Sequence, residues 1–190
     1  MSDFTFRNAL PEDYDELCKL CDERYGDGYF SWETYDHYST RPELFITAHC
    51  GEELAGFSVM IPASKEEIAK EMKMPQEDVD ELSGDKPPII FRSLIIHKRF
   101  EKKGLPLTMA NILLERVQAA GYGTIFGPAW MYDGKIPIEG LLKRLGFTQL
   151  YIRKNVWYDD LKYHCIICGG RCKCDAMIYY KKLSEMKGEG

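Results

Sequence analysis

The chain has 190 residues and a mass of 22.0 kDa, enough for one domain with a full core. Its 45 % hydrophobic and 29 % charged residues are ordinary globular proportions, which excludes a disordered polymer. A formal net charge of -5 gives no global electrostatic support to nonspecific nucleic-acid binding, and no run of about 18 apolar residues offers a membrane span.

The first residues, MSDFTFRNALPEDYDEL, are acidic rather than a basic segment leading into an apolar one, so they do not resemble an export signal. The chain therefore reads as soluble and cytoplasmic. Its cysteines, at 18, 21, 50, 165, 168, 172 and 174, are odd in number, and a reducing cytosol disfavours structural disulfides.

In chain order, Asp3 to Asn8 alternates Phe4 and Phe6 with polar neighbours and predicts a strand. Pro11-Glu-Asp then opens a helix with an acidic first turn. Tyr14, Leu17, Cys18, Cys21 and Tyr25 share one face of it, and Gly26 and Gly28 end it. Cys18 and Cys21 could be a ligand pair, but their place on that stripe favours buried thiols.

Leu44 to Ala48 and Leu54 to Ile61 flank Gly51-Glu-Glu and predict a hairpin. Residues 63–86 break the pattern as a helical insertion. Ser64 and Glu67 form a capping box, and Pro75 begins a second short acidic helix. The insertion reads either as a solvated surface excursion or as the cover of a substrate cleft.

Pro88 to His97 is a dense apolar run suited to a strand buried on both faces. Leu107, Ala110, Leu114 and Val117 then predict a long helix that ends at Gly121. Thr124-Ile-Phe126 predicts a short strand, and Ile138, Leu141, Leu142 and Leu145 predict a helix closed by Gly146. Strands near Phe147 to Trp157 and Ala176 to Lys181 complete the chain and enclose a cysteine-rich loop, 163–175. This order predicts an α/β fold: a mixed, mostly antiparallel central sheet with helices on both faces, in a single domain spanning 1–190.

Between the buried strand and the long helix, Glu101-Lys-Lys-Gly-Leu-Pro106 places free N–H groups and a helix N-terminus at one spot, which suits phosphate. The segment resembles the pyrophosphate-binding loop of the GNAT acetyltransferase superfamily, with Gly104 at the central glycine. Glu101 departs from the family's Arg or Gln, and Pro106 from its small last residue. Leu142-Lys-Arg-Leu-Gly-Phe147 is similar to the family's helix-to-strand signature. With the first strand and helix start, the resemblance covers about residues 3 to 160.

The resemblance implies an acyltransferase moving an acetyl group from acetyl-CoA to a primary amine, carried by a small molecule or a peptide. It implies that Leu94, Ile95 and Ile96 offer backbone groups to pantetheine. It also implies that Glu101, Lys102, Lys103, Gly104, Leu105, Pro106 and Leu107 surround the diphosphate. The family's tyrosine acid corresponds to Leu142 here, so Tyr132 is the substitute candidate for the acid, and Ser93, beside Arg92, is a second catalytic candidate. His97 reads as a packing or backbone-contact residue. The alternative is a catalytically silent GNAT-like module with a metal-binding or regulatory role. A homodimer remains open.

Cys165, Cys168, Cys172 and Cys174 form C-x₂-C, three residues, then C-x-C. Thiolates this close repel one another unless a cation compensates, and tetrahedral Zn²⁺ is the commonest answer. An iron–sulfur cluster, and free or paired thiols, are the alternatives. Arg171 and Lys173 are the only encouragement for a nucleic-acid knuckle.

Overall fold

A computed structural model describes residues 4–183, so Asp3 of the predicted first strand lies outside the described residues. Seven strands form one sheet: β1 (Phe4–Asn8), β2 (Phe45–Cys50), β3 (Glu53–Pro62), β4 (Pro88–Ile96), β5 (Thr124–Met131), β6 (Thr148–Arg153) and β9 (Asp175–Lys182). Two short strands, β7 (His164–Cys165) and β8 (Gly170–Arg171), make a separate ribbon. The sheet order is β1-β2-β3-β4-β5-β9-β6, and every neighbouring pair is antiparallel except β4 and β5. The predicted mixed, mostly antiparallel architecture is the one observed.

The period-2 alternation of the strands sends neighbouring residues to opposite cores. Phe45, Ile90, Phe126 and Ile178 face one core, which is covered by α1 (Tyr14–Arg24), α2 (Trp32–Ser39), α3 (Lys65–Glu71) and α4 (Gln76–Ser83). Ile46, Ile89, Ile125 and Tyr179 face the other, covered by α5 (Leu105–Ala119) and α6 (Glu139–Arg144). Among the described residues, no helix is long and apolar enough to cross a membrane.

Local chemistry sets the element boundaries. A single turn over Pro11–Asp13 precedes α1, and Arg7 clamps the Asp13 carboxylate with two 2.7 Å bonds. The reciprocal capping box of α3 is present, with the Glu67 N–H donating to Ser64 Oγ at 3.1 Å and the Ser64 N–H donating to Glu67 Oε2 at 2.7 Å. Pro75 stands at the N-cap of α4, one position before its first turn.

Three features differ from the sequence expectation. Helix α2 has no local signal in the sequence, because its Tyr, Trp and Thr residues are weak helix formers. Its start rests on Ser31 Oγ, which accepts the Thr34 N–H at 3.2 Å, and its apolar side buries Tyr35 and Tyr38. Strand β5 does not end at Phe126, because β9 pairs with it from Thr124 through Met131. The inner faces of α3 and α4 are not solvated: Ile68, Met72 and Val79 are fully buried.

A β-bulge in β4 positions the site. Val59 of β3 lies opposite Ser93 and Met60 lies opposite Phe91, so Arg92 is the extra residue. An extra residue flips the alternation and bends the strand. Accordingly Ile89 and Phe91 face the α5 core, whereas beyond the bulge it is Ile96 that does so and Ile95 that faces the other core. Parallel pairing with β5 stops just before the bulge, at Ile90 opposite Phe126.

Met72→Ala is expected to lower stability by about 2–5 kcal/mol, the cost of a truncated core methionine. The exposed neighbour Lys70, changed to Ala, should stay within about 0.5 kcal/mol of the parent. Urea unfolding monitored by circular dichroism reads both, and equal small effects would show that α3 is not part of the core.

Candidate active site and cysteine cluster

Where β4 and β5 part, a cleft of about 1030 Å³ opens. Ordinary ligand pockets hold roughly 300–1,000 Å³, so this one stands at the upper end of that range. One side is β4 from Phe91 to Ile96 and the other is β5 from Gly127 to Trp130. Pro128, which cannot donate to a ladder, falls where β5 has already lost β4. The end of α1, the start of α2 and the loop before the cysteines close the remaining walls.

Of the residues singled out from sequence, Ser93, Leu94, Ile95, Ile96 and Tyr132 all line this cleft. Ile95 and Ile96 are buried and pair with Phe57 and Gly56 of β3, while Leu94 is half-buried. The segment 101–107 does not line it but follows one short turn after β4. There Glu101, Lys102, Lys103 and Gly104 are exposed, Leu105 is buried as an anchor, and Pro106 and Leu107 are half-buried.

Gly104 is the N-cap of α5, with φ of 81°, and a Cβ there would meet nothing within 4 Å. The first N–H groups of α5 are therefore open to a ligand. Pro106, within the first turn, removes a donor that has no intrahelical partner. The negative charge of Glu101 is met by Arg24 at 2.9 Å, and Arg24 lines the cleft. His97 Nδ1 accepts the Arg99 N–H at 3.2 Å and Nε2 lies 3.8 Å from Glu23, so its ring is committed to the turn after β4.

At the middle of the cleft, Ser93 is buried and its Oγ is 2.6 Å from the Tyr29 hydroxyl. Burial above all holds the Tyr29 pKa well above its usual value, so Tyr29 stays a neutral hydroxyl. Tyr132 packs its ring 4.8 Å from that of Trp130. Leu142 lines the same cleft without a polar group. Arg92 is ion-paired with Glu71 of α3; burial opposes its charge, but Tyr38, Tyr29 and Asp160 more than offset this. Tyr25, Tyr29 and Trp130 are cleft residues that sequence reasoning missed, since no local motif marks an aromatic that only tertiary structure turns inward.

Cys165, Cys168, Cys172 and Cys174 come together, with all four sulfurs within 4.8 Å of one another. Cys165 and Cys174 are 3.8 Å apart, and Cys168 and Cys174 are 3.6 Å apart. A tetrahedron with Zn–S bonds of about 2.3 Å has edges of about 3.8 Å, so the set fits such an ion. Cys18 and Cys21 are not part of it: Cys21 is buried in the α1 core and Cys18 packs beside it.

The surroundings favour thiolates unequally. Burial raises the Cys165 pKa, but the N–H groups of Cys168 and Ile167 and the Tyr163 hydroxyl outweigh it and pull that thiol down. Burial, with the repulsion of Cys165 added, pushes Cys172 up to about 12 and drives Cys174 higher still. Without a cation the cluster cannot carry its full charge. The Lys173 N–H donates to Cys168 Sγ at 3.2 Å. Trp130 Nε1, buried and without a well-formed hydrogen bond, lies near enough to Cys174 to favour that thiolate.

No family model matches the sequence, and no curated protein matches it. Solved structures do resemble it. Ard1 from Thermoplasma volcanium superposes with a TM-score of 0.69 at 14 % identity, over 96 % of this chain and 99 % of its own. Arabidopsis thaliana Naa50, solved with the bisubstrate analogue CoA-Ac-MVNAL, gives 0.68 at 12 % identity over 96 % and 100 %. The ribosomal-protein-S18-alanine N-acetyltransferase of Escherichia coli gives 0.62 at 15 % identity over 99 % and 98 %. Likeness over whole chains, together with the parted β4 and β5 strands, shows that this chain has the fold of the GNAT acetyltransferases.

Proposed function

We propose that the protein is an N-acetyltransferase that uses acetyl-CoA and a primary amine, borne by a small molecule or a peptide, in the cytoplasm. The observation that carries this reading is the unpaired β4 edge from Phe91 to Ile96, which leads through one turn to the open N-terminus of α5. The backbone of Leu94 to Ile96 would hold the pantetheine arm as an added strand does. Residues Glu101 to Leu107 would hold the diphosphate, with the α5 N–H groups as donors and Lys102 and Lys103 supplying positive charge.

Acetyl-CoA supplies an activated acetyl group as a thioester, so the chain's task is mainly positioning. Tyr132 would donate a proton to the departing CoA sulfur, the role left open by Leu142. Ser93, oriented by Tyr29, would hold the acceptor nitrogen or a water that takes its proton. No carboxylate bonds to Ser93 or Tyr132 among the described residues, which supports an amine that loses its proton through water.

The four cysteines suit a structural Zn²⁺ held by Cys165, Cys168, Cys172 and Cys174, with no open position for chemistry. Its contribution would be to fold the 163–175 loop.

Isothermal titration should show acetyl-CoA binding with a micromolar dissociation constant. Gly104→Ala should weaken it at least tenfold, while Gly121→Ala, at a similar φ of 85° in open space, should carry only the backbone cost of about 1–2 kcal/mol in stability. Tyr132→Phe should cut kcat by about 10²-fold with the acetyl-CoA KM unchanged. Absence of acetyl-CoA binding by folded protein would remove the enzymatic reading. Binding without CoA release across a broad amine panel would favour the silent module.

Elemental analysis of protein purified without added metal should return about one zinc per chain. The quadruple Cys→Ser variant should return none. Equal metal in the two would refute the site, and iron in place of zinc would reassign it.

A further inference from the structure

The segment that joins α1 to α2 carries one half of the Tyr29–Ser93 pair, and the cysteine knuckle holds its backbone. The Asp27 carbonyl accepts the His164 N–H at 2.8 Å. The Tyr25 carbonyl accepts both the Ile166 N–H at 2.8 Å and the Tyr163 hydroxyl at 3.1 Å. Cys165, one of the four proposed ligands, stands between the two donating N–H groups. Two glycines let the backbones come this close, since a Cβ on Gly26 would stand 2.0 Å from the His164 oxygen and one on Gly28 would stand 2.1 Å from the Lys162 oxygen. Their φ angles are positive, 113° and 80°, so the residues that permit the contact also leave the segment loose without it.

A row of rings continues the contact. Tyr29 packs 4.6 Å from Tyr25 and 5.7 Å from Tyr163, and Tyr25 meets Trp130 edge-on at 5.3 Å. Tyr25, Tyr29 and Trp130 all pack against the buried cluster of Tyr163, Cys165, Cys172 and Cys174. From this row the Tyr29 hydroxyl reaches Ser93 Oγ of β4 at 2.6 Å.

The knuckle has little of its own to hold its shape. Its ribbon is two residue pairs, His164 with Arg171 and Cys165 with Gly170, shorter than the isolated hairpins that are already marginal in water. Its sulfurs, within 4.8 Å of one another, repel as thiolates until a cation joins them. Metal binding therefore orders the knuckle, and the ordered knuckle supplies the donors and the ring that fix the backbone of residues 25–29.

We propose that the four-cysteine metal site sets the Tyr29–Ser93 pair. The two hydroxyls meet when the metal is bound and part when it is lost, so Tyr29 is a positioning residue and the metal an effector of the cleft. The consequence for catalysis rests on the acetyl-transfer reading above. Coupling between two sites is reciprocal, so the stabilisation that the metal gives the pair returns as metal affinity. A metal that only stapled the 163–175 loop would be indifferent to the side chain of Ser93.

The test measures the Zn²⁺ affinity of the full chain by competition with a chromophoric chelator and needs no turnover. Tyr29→Phe keeps the ring and removes the hydroxyl, and Ser93→Ala removes its partner. Each should weaken Zn²⁺ binding about three- to tenfold, the worth of one hydrogen bond, and the double variant should weaken it no further than the larger single effect. Tyr151→Phe, which removes a hydroxyl bonded at 3.0 Å to Asp78 of α4, should leave the affinity within about twofold of the parent. The His164 and Ile166 amides should exchange about tenfold faster or more once the chelator strips the metal. A parent that binds no Zn²⁺, a Ser93→Ala affinity equal to the parent's, single effects that add in the double variant, or amide exchange unchanged by metal removal would overturn the proposal. Should the zinc affinities move together while acetyl-CoA fails to bind, the coupling stands and the acetyl-transfer reading falls. Should acetyl-CoA bind while zinc affinity ignores both variants, the reading stands and the coupling falls.

Discussion

The extra residue in β4 is the constraint on which the site depends. Before Arg92, the strand is held by β3 on one edge and β5 on the other. At Arg92 the bulge exchanges which residues face which core, so the strand stays buried while its direction changes. It keeps β3 and loses β5. A parted pair of strands would ordinarily leave backbone groups without partners, which folded proteins avoid. Here the stranded groups face a cleft of about 1030 Å³, where solvent or a ligand can satisfy them. The ion pair between Arg92 and Glu71 ties α3 to the same point, so the 63–86 insertion is bound to the cleft wall as well as to the core.

The cleft wall and the turn that follows β4 are built from different physics. Toward α5, the elements are a left-handed glycine, a helix dipole and lysines, all of which favour an anion and none of which needs burial. Toward the knuckle, the elements are aromatic rings in edge and tilted contact, such as Tyr25 with Trp130 at 5.3 Å and Tyr29 with Tyr163 at 5.7 Å. Trp130 belongs to both the cleft wall and the cysteine cluster, so the packing of one constrains the other.

Much of this was legible in the sequence because it is local. Alternation in Phe4–Asn8, the Gly51 turn, the Ser64–Glu67 box, the helical stripe after Gly104 and Leu-Gly-Phe147 each fix an element without reference to distant residues. The spacing of the four cysteines likewise sufficed to bring their sulfurs together. What was not legible is nonlocal. The bulge at Arg92 carries no glycine or proline to mark it and exists only in register against Val59 and Met60. Strand β5 runs through Gly127 and Pro128, usual signs of an end, because β9 holds it from the other side. Helix α2 forms from poor helix formers because Tyr35 and Tyr38 gain burial against Phe45. Tyr29 reaches Ser93 across 64 positions of sequence, and no pattern in either segment announces the pair.

Beyond Arg92 the β4 backbone has no strand partner on the β5 side, an edge on which a ligand can pair. Amide hydrogen exchange resolved along Ser93 to Ile96, with and without saturating acetyl-CoA, tests it most directly. Amides facing the cleft should exchange quickly in the free protein and become strongly protected when acetyl-CoA is added, while those paired with β3 stay protected throughout. Full protection of the segment without ligand, or no change on adding acetyl-CoA, would contradict it.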